Sequence, residues 1–502
     1  MANKIAKLRG MLGEVFDLNA AAAVLRWDQQ TYMPPGGAGN RAMQLSTLSR
    51  LSHQKAVSNE MGDAIEAAKE EAAEMDPDSD NARLVEKAAR DYEKYRKVPD
   101  EWVAEFSRTT SLAHQIWEKA REESDFGQFQ PSLEEIIELR RQYIEFFAPY
   151  DHPYDPLLDD FERGMKTADV KAVFDKMRPQ QVELIRAIAD SGVTVDDSLL
   201  RQSFDEQKQW DFGVEAIEAF GFDFDRGRQD KAVHPFTAGF GIDDVRITTR
   251  FDPKFFNTAI FGTMHEAGHG MYAQGPRAEL ERSPLAGGAS LAVHESQSRM
   301  WENLIGRSRS FWVVFYPRLQ EMFSSQLGGI DLESFYRAIN KVEPSLIRVE
   351  ADEATYNLHI MLRFEIELGL MEKTVEMGNL PDLWNSKMEE YLGLKPPNDA
   401  LGILQDVHWS AGMIGYFPTY ALGNLIASQL WEKIEEDIPD ITQKIEAAQF
   451  DALLEWLREN IHQHGAKFEP MELLQRITGE GLSAEPYLRY LQNKFGDIYD
   501  LS

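Results

Sequence analysis

The sequence predicts a mainly α-helical chain with a small β-sheet beside its most reactive stretch. Three observations carry this. Apolar residues recur at helical spacing through most of the 502 positions, broken by short Pro- and Gly-bearing turns rather than long linkers. One segment switches to a period of two: Val245, Ile247, Thr249 and Phe251 alternate with Arg246, Thr248 and Arg250. Soon after it, Met264-His265-Glu266-Ala267-Gly268-His269 sets two imidazoles four residues apart, one above the other on a helix face.

Taken in order, residues 1 to about 30 read as a helix packing through Ile5, Leu8, Leu12 and Phe16, closed by Pro34-Pro35-Gly36-Gly37. Trp27 and Asp28 read as a core aromatic and a helix-end carboxylate. Helix formers dominate from Arg41 to Ala73. A turn at Asp76-Pro77-Asp78-Ser79-Asp80 follows, and helix resumes through Leu84, Val85 and Tyr92. The dense acid here is a solvated helix face. Ser132-Leu133-Glu134-Glu135 has capping-box spacing and predicts a helix start. Asp151 to Pro156 is a break, and helices are expected over Thr167–Ser191 and Ser203–Phe220. The turn-rich run from His234-Pro235-Phe236 to Gly241 leads into the strand. Beyond Glu295 helix returns: Ile347 to Asp352 falls in a long helical segment toward Leu370, and Ile441 to Ser502 is helical with a turn near 479–484. His462 and His464, at i and i+2, diverge on a helix and are read as surface. No low-complexity linker or repeat divides the chain, so one continuous domain over 1–502 is expected, with two lobes as its natural subdivision.

Composition removes several classes. There are no cysteines, which excludes disulfides, thiolate metal sites and a cysteine nucleophile, and leaves His and carboxylates as the strong metal ligands. A net charge of −31 repels phosphate backbones and argues against nucleic acid as a partner. The apolar share of 43% is that of an ordinary globular chain. No run approaches the roughly 20 apolar residues of a membrane span, and Glu14 and Asp17 interrupt the start before a signal-peptide core forms. A cytoplasmic, membrane-free protein is the expectation.

The paired imidazoles suit a metal. His265 and His269 turn toward one point, while Glu266, about 100° further round the helix, can flank the ion without binding it. Two neutral nitrogen ligands and a general base aimed at a bound water are what hydrolytic metal chemistry needs. The plain alternative is an amphipathic helix with two core or surface histidines. A second helix-like segment, Leu291 to Arg299, favours the metal: past Gly275-Pro276, Pro284 and Gly287-Gly288 the chain can turn back and bring Glu295 to the pair. Three ligands and an open position are a hydrolytic rather than a structural zinc set.

Five further motifs accompany the His-Glu-Ala-Gly-His run: His234-Pro235-Phe236, Asp244-Val245-Arg246-Ile247-Thr248, His294-Glu295-Ser296-Gln297, Ile347-Arg348-Val349-Glu350-Ala351-Asp352, and Gly402 through Trp409. Together, over about 234–420, they resemble the carboxypeptidase Taq family of metallocarboxypeptidases. The resemblance implies a single helical peptidase domain with a deep groove, and removal of C-terminal residues from peptides with broad specificity. It also implies a homodimer and one divalent metal per chain, zinc first and cobalt as the alternative. By motif match His265, His269 and Glu295 are its ligands and Glu266 its catalytic carboxylate. The oxyanion needs a donor besides the metal, for which Tyr416, Tyr420 and His408 are candidates. A free C-terminal carboxylate calls for a guanidinium fork, and Arg348 and Arg246 are the two in motifs. Asp352 is expected to orient Arg348 or a ligand histidine, with Asp244 and Gln405 as weaker supports. His234 and His294 are read as structural, His294 pointing away from the ligands. The strand at Val245, taken as a sheet edge, can pair with an extended peptide.

Two other readings compete. An endo-acting oligopeptidase of similar helical-channel architecture is separated by whether amidating the substrate's C-terminus stops cleavage. A non-catalytic metal scaffold has no use for the non-ligand carboxylate of Glu266.

Overall fold

The structure, a computed structural model, describes residues 3–501. Among these, helices follow one another from Lys4 to Ile498, and the sheet has three strands. The chain forms two compact units. The first comprises Met1–Arg96, Asp196–Ile339 and Leu430–Gly479; the second comprises Lys97–Val195, Asn340–Gln429 and Glu480–Ser502.

In the first unit, Ile5 and Leu8 of the helix Lys4–Thr31 enter a buried cluster. Met61, Ala64, Ile65 and Ala68 join from Asn59–Ala72, and Leu84, Val85, Ala88 and Ala89 from Asp80–Lys97. The helix-forming stretch after Arg41 is two helices, Ala38–Ala56 and Asn59–Ala72, because the Ser58 hydroxyl accepts from Met61 N at 3.1 Å and starts a new one. Leu280 and Leu285 complete the cluster. They lie in the connection between Phe256–Ala273, the helix bearing both histidines, and Leu291–Arg299, the helix bearing Glu295. The same connection is tied by Arg277, whose Nη2 donates to both oxygens of Asp80 at 2.9 and 2.7 Å. The N-terminal helices thus anchor the link between the two helices that matter most.

The sheet runs β1 (Gly227–Lys231), β2 (Thr237–Gly241) and β3 (Asp244–Thr249) in the order β1-β3-β2. β3 is parallel to β1 and antiparallel to β2. The strand marked by alternation is therefore central, not an edge. Both its edges are already paired, which corrects the expectation that it receives a peptide. Alternation reports two unlike faces and says nothing about lateral position. Thr263 Oγ1 on the histidine helix donates to Thr249 Oγ1 at 3.0 Å, locking β3 to that helix.

In the second unit, the helix expected to open at Ser132 runs over Phe126–Glu145. Asp125 takes the cap by accepting from Gly127 N at 3.0 Å, and Pro131 lies inside the helix. The long helix expected through Ile347–Asp352 is absent. Arg348–Glu350 forms a single 3₁₀ turn, and the helix begins at Tyr356 and runs to Glu372. Asp352 explains the break. Its oxygens accept from Ala354 N (2.9 Å), Thr355 N (3.0 Å), Glu343 N (3.0 Å) and Thr355 Oγ1 (2.9 Å). A side chain that satisfies nearby main-chain donors stops a helix. It is thereby engaged, and none of these bonds goes to Arg348, which it was expected to orient. His462 is also corrected: it is fully buried in a 3₁₀ turn, His462–His464, not on the surface.

The histidine helix is buried on nearly every face, and two of its glycines, Gly268 and Gly270, sit where neighbours press close. A Cβ on Gly268 would lie 2.7 Å from both Gln297 O and Ser298 Cα, main chain that cannot swing aside. A Cβ on Gly262 would meet nothing within 4 Å. Glycine to alanine inside a helix normally stabilises by about 1 kcal/mol, whereas forcing packed atoms apart costs about 1–3 kcal/mol. Gly262→Ala should raise Tm and Gly268→Ala should lower it by several degrees, read by calorimetry on the apoprotein.

Candidate metal centre

His265 and His269 stand one turn apart with ring centroids 4.9 Å apart and planes at 82°. Glu295 Oε2 lies 3.8 Å from His265 Nε2 and 3.6 Å from His269 Nε2. The three ligand atoms lie within 4.8 Å of one another. A tetrahedral ion with ligands at about 2.0–2.1 Å sets neighbouring ligand atoms roughly 3.3–3.4 Å apart, so the donor set fits a small divalent ion with slight closure. Burial pushes the Glu295 carboxyl up, but Arg299 and the two imidazoles hold it well below the usual carboxylate range. It is ionised and ready to bind a cation.

A ring of charged groups orients these ligands. The helix Leu291–Arg299 opens with Ser290 capping Val293 N at 3.1 Å and continues into a π-helical turn, Met300–Ile305. Glu295, Arg299 and Glu302, at i, i+4 and i+7, project on one side. Arg299 Nε donates to Glu295 Oε1 at 2.7 Å and its Nη1 to Glu302 Oε2 at 3.0 Å. His265 Nδ1 lies 2.9 Å from the same Glu302 oxygen. A carboxylate on the far nitrogen fixes the tautomer and leaves Nε2 free for a metal. Against burial, Arg299, His265 and Arg307 hold Glu302 down to about 2. Arg299 and Glu302 were not singled out from sequence, although their spacing from Glu295 was visible.

Glu266 is buried and is not among the three converging ligand groups. The Thr237 hydroxyl on β2 lies 2.7 Å from its Oε2 and 3.0 Å from its main-chain oxygen, and shares one proton between them. Thr237 follows directly after His234-Pro235-Phe236, so that motif's neighbour reaches Glu266, and His234 itself is exposed. His294 does not point away: its ring packs 5.6 Å from His269 and 4.5 Å from Tyr272. Behind it, His462 Nε2 lies 2.8 Å from Gln297 Oε1. Burial pushes His462 down to about 3, so the ring is neutral and the contact requires its proton on Nε2. The hydrogen bond braces the Glu295 helix at the residue whose main chain meets Gly268.

Arg246, on β3 in this unit, closes on Asp244 through two bonds of 2.9 Å and lies over the Trp27 and Phe240 rings. The remaining expected residues lie in the second unit. Arg348 Nη2 donates to Asp406 Oδ1 at 2.8 Å and Nη1 to Tyr356 OH at 2.9 Å. Arg363 Nη2 holds Asp406 Oδ2 at 2.6 Å, so one carboxylate serves two guanidiniums. Gln405 Oε1 accepts from Arg348 N and from Arg363 Nη2, at 2.9 and 2.8 Å. Tyr420 lies beneath Arg348 (5.0 Å), with its hydroxyl 3.4 Å from His408 Nε2. Tyr416 packs edge-on to Tyr420, and its ring lies 5.3 Å from that of His408. Burial, aided by Arg348 and Arg363 and opposed by Asp406, pushes His408 down to about 4, so it is neutral.

The loop carrying His408 and Tyr416 is tied by Glu367, which was not anticipated. It accepts from Trp409 Nε1 (2.8 Å), Gly415 N (3.1 Å) and Tyr154 OH (2.5 Å). Burial pushes its carboxyl up to about 7 despite these bonds. Its folded pKa is therefore above the unfolded one, and the folded chain binds the extra proton between about pH 4.5 and 7. Stability from this group is greatest at the acid end of that window and falls as pH rises through it. Glu367→Gln cannot ionise, so its Tm relative to the parent should improve by several degrees from about pH 5 to about pH 8, seen in paired thermal melts. A constant difference would show that Glu367 is charged throughout.

The family profile described as carboxypeptidase Taq (M32) metallopeptidase matches residues 7–495. Carboxypeptidase 1 of Bacillus subtilis is 40% identical over 489 residues, 97% of each chain. Thermostable carboxypeptidase 1 of Thermus thermophilus is 41% identical over 491 residues, 96% of each. The crystal structure of the M32 carboxypeptidase from Deinococcus radiodurans superposes with a TM-score of 0.97 at 39% identity, covering 99% of this chain and 100% of that one. With sequence, fold and family profile agreeing along nearly the whole length, this chain belongs to the carboxypeptidase Taq family of metallopeptidases, and so to the metal-dependent carboxypeptidases.

Proposed function

We propose that the protein removes C-terminal residues from peptides with broad specificity, as one functional domain spanning the chain. His265, His269 and Glu295 would hold one divalent ion, zinc in the first place and cobalt as the alternative. When bound, such an ion supplies a water whose pKa is lowered to near ~7 and a polarised scissile carbonyl. Glu266 acts as general base. The observation that carries this is a buried carboxylate one residue from a ligand, outside the ligand set and fixed by the Thr237 hydroxyl. With Thr237 on Oε2, the carboxylate takes a proton from water and returns it to the leaving amine nitrogen.

Arg348 binds the substrate's terminal carboxylate. Asp406 is shared between Arg348 and Arg363, so their cluster keeps an excess positive charge that suits an anion. Arg246 is the second candidate, although its fork is already matched by Asp244. Either phenol, Tyr416 or Tyr420, donates to the oxyanion, with neutral His408 beside both. The family resemblance supports a homodimer, which light scattering would read directly, and the sequence expectation of a cytoplasmic protein is kept as part of this reading.

Metal-loaded protein given free-acid and amidated forms of one peptide should shorten the free acid stepwise and leave the amide intact, followed by mass spectrometry. Internal cleavage of the amide would instead favour the endo-acting reading. Glu266→Gln should retain the ion while kcat falls by roughly 100-fold or more. Arg348→Met should raise KM for free-acid peptides by about 10-fold or more, since a charge-assisted fork is lost.

A further inference from the structure

We propose that Arg299 is a positioning residue that restricts Glu295 to one ligating oxygen and thereby keeps a coordination position open. The inference rests on the metal reading of His265, His269 and Glu295. The two oxygens of Glu295 have different surroundings. Oε2 faces both imidazoles, 3.8 and 3.6 Å from their Nε2 atoms. Oε1 accepts the Arg299 Nε proton at 2.7 Å.

Arg299 is itself held from the other side, because its Nη1 donates to Glu302 Oε2 at 3.0 Å. Glu302 accepts from His265 Nδ1 at 2.9 Å and pairs with Arg307 at 3.8 Å. The contacts therefore close a loop from one ligand to another: His265, Glu302, Arg299, Glu295. All of these side chains are at least four-fifths buried, so little water competes for Oε1. A carboxylate can bind a small ion through one oxygen or two. The second oxygen would take the place that a hydrolytic site leaves for water and substrate. A guanidinium donor on Oε1 favours the single-oxygen state, and the π-helical turn after Arg299 carries the Glu302 that keeps the guanidinium there.

The test uses the full chain loaded with Co²⁺, whose visible absorption weakens as coordination number rises. The parent should show an intense low-coordinate band. Arg299→Met, which keeps bulk and loses the donor, should lose several-fold of that intensity as Oε1 joins the ion. Arg299→Lys, which keeps a donor, should recover most of it. A parent-like band in the methionine variant overturns the inference, because a merely structural role leaves coordination unchanged. If that variant does not fold, X-ray absorption on the zinc-loaded parent decides: one bonded carboxylate oxygen supports the inference and two overturn it. A parent that takes up no ion removes the metal reading itself, which is a separate failure.

Discussion

Two main chains meet at Gly268, and the candidate metal centre depends on that contact. The histidine helix can present its imidazoles unaided, since residues four apart share a face. The carboxylate must come from a second helix, and its reach is short. Only where a side chain is missing can Gln297 O and Ser298 Cα come this close, because a Cβ on Gly268 would lie 2.7 Å from each. The glycine between the two histidines is thus a distance setting: it fixes how far Glu295 stands from the nitrogens.

Other parts of the first unit hold that setting from several directions. His462 reaches Gln297 from a distant stretch of chain, Thr263 ties the histidine helix to β3, and the N-terminal helices bury Leu280 and Leu285 in the connection between the two ligand helices. The charged loop through Glu302 and Arg299 acts at a finer level, choosing tautomer and carboxylate oxygen rather than helix position. Packing places the groups and electrostatics orients them. These are separable layers, because the first acts in the apoprotein and the second would be felt only by a bound ion.

Much of this was legible in the sequence, and the limits follow from physics. Helical periodicity, the strand's alternation and the i, i+4 histidines are local patterns, and each marked its element. Bringing Glu295 to the pair required only that the chain turn back over a Gly- and Pro-bearing connection. What failed was long-range or competitive. His462 looked like surface because two histidines at i and i+2 carry no trace of a buried partner far upstream. β3 looked like an edge because alternation is blind to neighbours. The helix expected at Ile347 was stopped by Asp352, whose side chain competes for main-chain donors that a periodicity count assigns to the helix. Arg299 and Glu302 were readable by spacing, yet charged residues at i, i+4 and i+7 usually mark a solvated face, and only burial shows otherwise.

The most direct test of the account is metal stoichiometry by calorimetric titration of the apoprotein, in the parent and in Glu295→Ala. Three side chains from two helices holding one ion predict a single tight equivalent per chain in the parent, with affinity collapsing in the variant while the fold persists by circular dichroism. Equal, tight binding in both proteins would place the ion elsewhere and contradict the account at its root.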